Sequence, residues 1–145
     1  MRFFPRLLAV AVAGAGCALA CSSSPDGPTA PEVPGHETSQ FVHALRGLGA
    51  TAEVIEVLPA SANPDFKAPA VRLRLNGADV WVYEYATVAE ADEAASRVPH
   101  LISVSLYISA PHFFRGDRLI VLYVGLDTAV SSPVERLLGP PFAGF

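Results

Sequence analysis

An α+β fold is what the sequence predicts: a two-layer sandwich of a mainly antiparallel sheet of about five strands with three helices on one face. Three observations lead there. Segments 52–58, 71–75, 78–85 and 118–125 are β-branched or aromatic and short, as strands are. An Asn76-Gly77 pair joins two of them as a hairpin. Capped stretches with helical spacing separate the strands, and tight turns between neighbours favour antiparallel pairing.

In chain order, Thr38 or Ser39 can cap a first helix whose Phe41, Leu45 and Leu48 share one side, with Gly49 as its stop. Residues 52–58 (AEVIEVL) form a strand ending at Pro59, and 59–69 is a loop rich in Pro, Ser, Asn and Asp. Asn and Gly tolerate the positive φ of a type I′ turn, and a two-residue turn fixes the register of the hairpin. Leu75 then faces Ala78, Arg74 faces Asp79, Leu73 faces Val80, Arg72 faces Trp81 and Val71 faces Val82. One side of the hairpin is aliphatic core; the other carries Arg72, Arg74, Asp79, Trp81, Tyr83 and Tyr85. Thr87 and Glu90 make a capping box for a second helix running to Arg97 and stopped by Pro99. Residues 101–110 alternate, with Ile102, Val104, Leu106 and Ile108 against Ser103, Ser105, Tyr107 and Ser109, and predict a half-buried strand. Residues 118–125 (RLIVLYVG) are apolar on both sides, as a central strand requires. Ser132-Pro133-Val134-Glu135 predicts the start of a last helix to Leu138, with Thr128 as an earlier alternative start.

The chain opens differently. Arg2 and Arg6 precede an uncharged apolar run from Leu7 to Leu19, too short to span a bilayer comfortably, and small residues then lead to Cys21. These are the physical features of an export signal, expected to occupy residues 1–20. Residues 21–37 hold four prolines and no large aromatic, so they are expected to form a disordered tether, with one domain over 38–145. Both cysteines, Cys17 and Cys21, lie ahead of that domain, so it contains no disulfide. Without Arg2 and Arg6 the chain keeps 8 basic side chains against 14 acidic ones, and Lys67 is the only lysine. That balance argues against nucleic acid as a partner, since phosphate binding needs a surplus of cations.

Ala18-Leu19-Ala20-Cys21 resembles a bacterial lipoprotein signal, although its leucine stands one place closer to the cysteine than usual. Gly14-Ala15-Gly16-Cys17 is a second candidate, and plain cleavage after Ala20 a third. The resemblance implies a lipid on Cys21 (palmitate among its acyl groups), export, and anchoring to a membrane of the cell envelope. From Val80 onward the chain also resembles small bacterial lipoproteins of unknown function. The matching residues are Val82-Tyr83-Glu84-Tyr85, Pro111-His112-Phe113-Phe114-Arg115, the 118–125 strand and the closing Leu138-Gly139-Pro140-Pro141-Phe142-Ala143-Gly144. That resemblance implies a lipoprotein and no particular activity.

No sequence motif in the domain carries catalytic chemistry. His36, His43, His100 and His112 lack zinc-ligand spacing, no G-x-S-x-G surrounds a serine, and no cofactor or metal is expected. Arg115-Gly116-Asp117 spells an adhesion tripeptide that a simple turn explains as well. Two residue groups remain. Trp81, Tyr83 and Tyr85, with Arg72 beside Trp81, form an aromatic stripe suited to an envelope protein partner, unless the first helix or the 59–69 loop covers it. Glu84, at the end of the core side, and His112 are candidates for a pocket of a small enzyme or ligand carrier. The binding or accessory role is the expected one, with the enzyme as its alternative.

Overall fold

The computed structural model describes residues 35–105 and 107–144. The expected export signal, Cys21 and the expected tether as far as residue 34 lie outside the described residues. The elements are α1 (His36–Gly47), β1 (Ala52–Leu58), a 3-10 turn (Ala60–Ala62), β2 (Ala70–Leu75), β3 (Ala78–Glu84), α2 (Val88–Val104), β4 (Pro111–Arg115), β5 (Leu119–Val124), α3 (Thr128–Leu138) and β6 (Ala143–Gly144). The strands form one sheet in the order β1-β2-β3-β5-β4-β6, antiparallel throughout. The fold is α+β, with six strands where about five were expected.

The hairpin is as the sequence predicts. Asn76 has φ 48° and Gly77 φ 92°, and every expected pair from Leu75–Ala78 to Val71–Val82 is observed. β5 is central, buried on both sides between β3 and β4.

Three elements differ from expectation. α1 begins at His36, so the ordered domain takes in two residues assigned to the tether. The strand expected over 101–110 is absent; α2 passes through Pro99 and ends at Val104, and the strand lies later, at Pro111–Arg115. The alternation of Ile102 and Val104 competes with a helical series, Ala91, Ala94, Val98, Leu101 and Ile102, and the helical series is the one that packs. Pro99 falls on the exposed side of that helix, where water can serve the backbone its missing N–H leaves unpaired. α3 starts at Thr128, capped by Asp127, whose carboxylate accepts from the Ala129 N–H at 2.9 Å. Pro133 therefore sits inside the helix and supplies no N–H to the Ala129 carbonyl four residues back. Asn76 provides the donor instead: its Nδ2 donates to that carbonyl at 2.7 Å, while its Oδ1 accepts from the Thr51 N–H at 2.8 Å.

Two cores flank the sheet. On one side Phe41, Val42 and Leu45 of α1 and Val130 and Val134 of α3 pack on Val71, Leu73, Val80, Val82, Phe114 and Val121. On the other, Ala91, Ala94 and Val98 of α2, with Phe66 and Ala68 of the 59–69 loop, pack on Ala70, Tyr83, Phe113, Ile120 and Leu122. The helices are thus divided between the faces rather than gathered on one. The central strands alternate between the two cores, which is why β5 is apolar on both sides.

Candidate functional site

The aromatic stripe lies on the α2 side of the sheet and is only partly open. Tyr83 and Tyr85 are buried. Phe66 stacks on Tyr83 with centroids 4.2 Å apart, and the Tyr85 hydroxyl donates to the Phe66 carbonyl at 3.1 Å. Burial pushes the Tyr83 phenol up and the Tyr85 phenol up to about 12, because a phenolate there would lose its water. The 59–69 loop therefore covers two of the three rings expected to form a contact surface. Trp81 is the exception and stays half-buried.

Trp81 is held by charge as well as by packing. The Arg72 guanidinium lies over its ring, 5.7 Å from the centroid. Arg72 is in turn anchored on Glu56 of β1 at 3.0 Å and Asp79 of β3 at 3.4 Å, and Arg74 Nε donates to Asp79 at 2.8 Å. The hairpin register produces this ladder, since Glu56 pairs with Arg72, Arg72 with Trp81 and Arg74 with Asp79 on one side of the sheet.

Beside Trp81 the covering layer is incomplete. α2 stops at Val104, and the connection to β4 passes over the sheet with Tyr107 half-buried and Ile108 fully exposed. Trp81, Tyr107, Ile108, Val124, Arg74 and Asp79 line an open groove of about 480 Å³. Tyr107 braces one wall by an edge-on contact with Phe113, centroids 6.5 Å apart. Sequence reasoning named Trp81, Arg72, Arg74 and Asp79 for this side but missed Tyr107, Ile108 and Val124. Reading 101–110 as a strand put Tyr107 and Ile108 on opposite sides of the sheet.

Glu84 and His112 are not brought together. Glu84 pairs with Leu119 and His112 with Tyr123, four residues apart on β5, which is about 13 Å of strand. Each is occupied elsewhere. The Glu84 carboxylate accepts from the Thr38 N–H at 2.9 Å, the Thr38 hydroxyl at 2.6 Å and the Glu37 N–H at 3.4 Å. It serves as the N-terminal cap of α1 from a strand 46 residues away, a role its own N-cap Gly35 does not fill. A Cβ on Gly35, at φ 90°, would collide with that carboxylate. Arg118 completes the cluster, its Nε on Glu37 at 2.5 Å and its Nη2 3.6 Å from Glu84. The hydrogen bond to Glu37 raises the Arg118 pKa further. His112 stacks on Tyr123 and bonds through Nε2 to the Gly125 carbonyl at 2.9 Å.

The other candidates have structural partners too. Arg115 turns back on its own loop, bonding the Gly116 and Asp117 carbonyls at 2.9 and 3.1 Å, and reaches Asp92 at 2.6 Å, so the tripeptide does not present a free guanidinium. Among the described residues no three His, Cys, Asp or Glu side chains are grouped to hold a metal ion. No described helix is long and apolar enough to cross a membrane. Compared with protein-family models, curated proteins and solved structures, the chain matches none.

Proposed function

We propose that this protein is a bacterial envelope lipoprotein, anchored through Cys21, whose domain is a non-enzymatic binding or accessory module that works through the Trp81 groove. The observation that carries the binding role is the contrast within one sheet face. Tyr83 is covered by the stacked Phe66 ring and Tyr85 is covered and bonded to the Phe66 carbonyl, whereas Trp81 is fixed by Arg72 beneath an opening walled by Tyr107 and Ile108. A large ring already immobilised in an accessible groove loses little entropy when a ligand binds. Of the residues of the alternative enzyme, Glu84 spends its carboxylate on the α1 cap and His112 its Nε2 on the Gly125 carbonyl. The anchoring half rests on the residues around Cys21 alone.

Each half has its own test. Mass spectrometry of the natural product is expected to find an acylated Cys21 as the first residue; an unmodified Cys21, or Met1 still attached, would overturn the anchor. Crosslinking in intact envelopes through a photoreactive residue at position 108 is expected to give adducts that Trp81→Ala removes. Adducts unchanged by Trp81→Ala would overturn the groove.

A further inference from the structure

The groove has a chemistry that narrows the class of its ligand, an inference that rests on the binding role just proposed. The two charged residues that line it, Arg74 and Asp79, already pair with each other, and the ladder beside them is paired as well. Arg72 and Arg74 are balanced by Glu56 and Asp79 through contacts of 2.8 to 3.4 Å. An anionic or cationic ligand would have to break one of these pairs to make its own, exchanging like for like. A purely apolar ligand fits no better, because seating it would strip water from the Arg74–Asp79 pair and leave the remaining polar sites unserved.

A neutral ligand rich in hydroxyls needs neither loss. A guanidinium has five N–H donors and a carboxylate about four acceptor sites. The 2.8 Å bond between Arg74 and Asp79 uses one of each. Adjacent hydroxyls, each a donor and an acceptor at once, can bridge such a pair without opening it. The rest of the wall is aromatic and aliphatic: Trp81, Tyr107, Ile108 and Val124. A pyranose ring offers both surfaces, C–H groups on its faces and hydroxyls around its rim. At about 480 Å³ the open groove has room for more than one sugar ring. We infer that the Trp81 groove is a binding site for an uncharged glycan segment, with sugar C–H groups against Trp81 and Ile108 and hydroxyls on Asp79 and Arg74.

Trp81 is the only tryptophan in the chain, so its fluorescence reports on the groove alone. The full chain, in a detergent without a sugar headgroup, is titrated with chitotetraose, cellotetraose and maltotetraose. At least one is expected to shift the emission saturably, with calorimetry giving the same affinity. Asp79→Asn is expected to weaken that affinity about tenfold. Trp81→Phe, followed by calorimetry, is expected to weaken it by a similar factor. Silence from all three sugars at about 10 mM, roughly ten-thousandfold above a micromolar Kd, would overturn the glycan. So would binding that both variants leave unchanged. If the sugars fail while crosslinks from position 108 still depend on Trp81, the ligand is a protein and only the glycan falls. If both fail, the groove falls with it.

Discussion

The two faces of the sheet are built on different terms. The α1/α3 face is a continuous aliphatic layer, in which Val71, Leu73, Leu75, Val80 and Val82 meet two helices and are essentially without solvent. The α2 face is divided. One part, around Ala70, Tyr83, Phe113 and Ile120, is packed by small alanines of α2 and by Phe66, and the other is an ion-pair ladder of Glu56, Arg72, Arg74 and Asp79 with one half-open tryptophan. Aliphatic packing secures a fold without presenting chemistry; paired charges around an aromatic ring contribute little to stability and stay available to a ligand. Under the proposed binding role, the difference places stability on one face and recognition on the other.

The contrast is open to direct attack. Leu73, fully buried on the first face, is expected to cost about 2–5 kcal/mol on Leu73→Ala, from lost transfer energy and the cavity left behind. Trp81→Ala, removing a larger side chain from the second face, is expected to cost only about 1 kcal/mol, because the ring is half-exposed and packs on the second core only in part, with the Arg72 guanidinium over its face. Urea unfolding measures both. A Trp81→Ala loss as large as that of Leu73→Ala would mean that the groove is a core defect rather than a site.

The next largest effect concerns how the stable face is closed. Glu84 is one-tenth exposed and satisfies two N–H groups of the first turn of α1 as well as the buried Thr38 hydroxyl. Glu84→Ala strands those donors and is expected to cost about 1–3 kcal/mol. Amide exchange should then accelerate in the first turn of α1 before it does so elsewhere. Ligand binding at Trp81 should not change, since the cap lies on the other face. Loss of binding in Glu84→Ala without unfolding would break the division of roles.

How far the sequence discloses this molecule depends on how local each determinant is. The hairpin was legible in full, because Asn76-Gly77 fixes its own turn and the turn fixes the register. β1 and β5 were legible from composition alone, and the Thr87–Glu90 box marks the start of α2 with bonds of 3.1 and 3.2 Å. The end of α2 was not, since residues 101–104 satisfy a period of two and a period of 3.6 together, and only packing against Phe113 and Ile120 decides between them. The site suffered most from this. The ladder residues follow from the hairpin, but Tyr107 and Ile108 reach the groove only once α2 ends and the chain turns over the sheet. The Glu84 cap spans 46 residues and leaves no pattern in the sequence; glutamate at the end of a core-facing run was its single trace.

The smallest expected effect probes the seam that holds the hairpin against the stable face. Asn76 has two functions there: a left-handed turn residue and a side chain bridging Thr51 to Ala129. Asn76→Gly keeps the first and removes the second, for an expected loss of about 1 kcal/mol. Part of that loss should depend on Pro133, because the Ala129 carbonyl needs an outside donor only while residue 133 has no N–H. Pro133→Ala alone gives the carbonyl a second donor that Asn76 already makes redundant. In the Asn76→Gly protein the same substitution restores the only donor within the helix. Pro133→Ala should therefore stabilise Asn76→Gly more than it stabilises the parent, by about 0.5–1 kcal/mol in a double-mutant cycle. Additivity within about 0.3 kcal/mol would show that water serves the Ala129 carbonyl as well as Asn76 does, and that the hairpin turn is docked on α3 by shape alone.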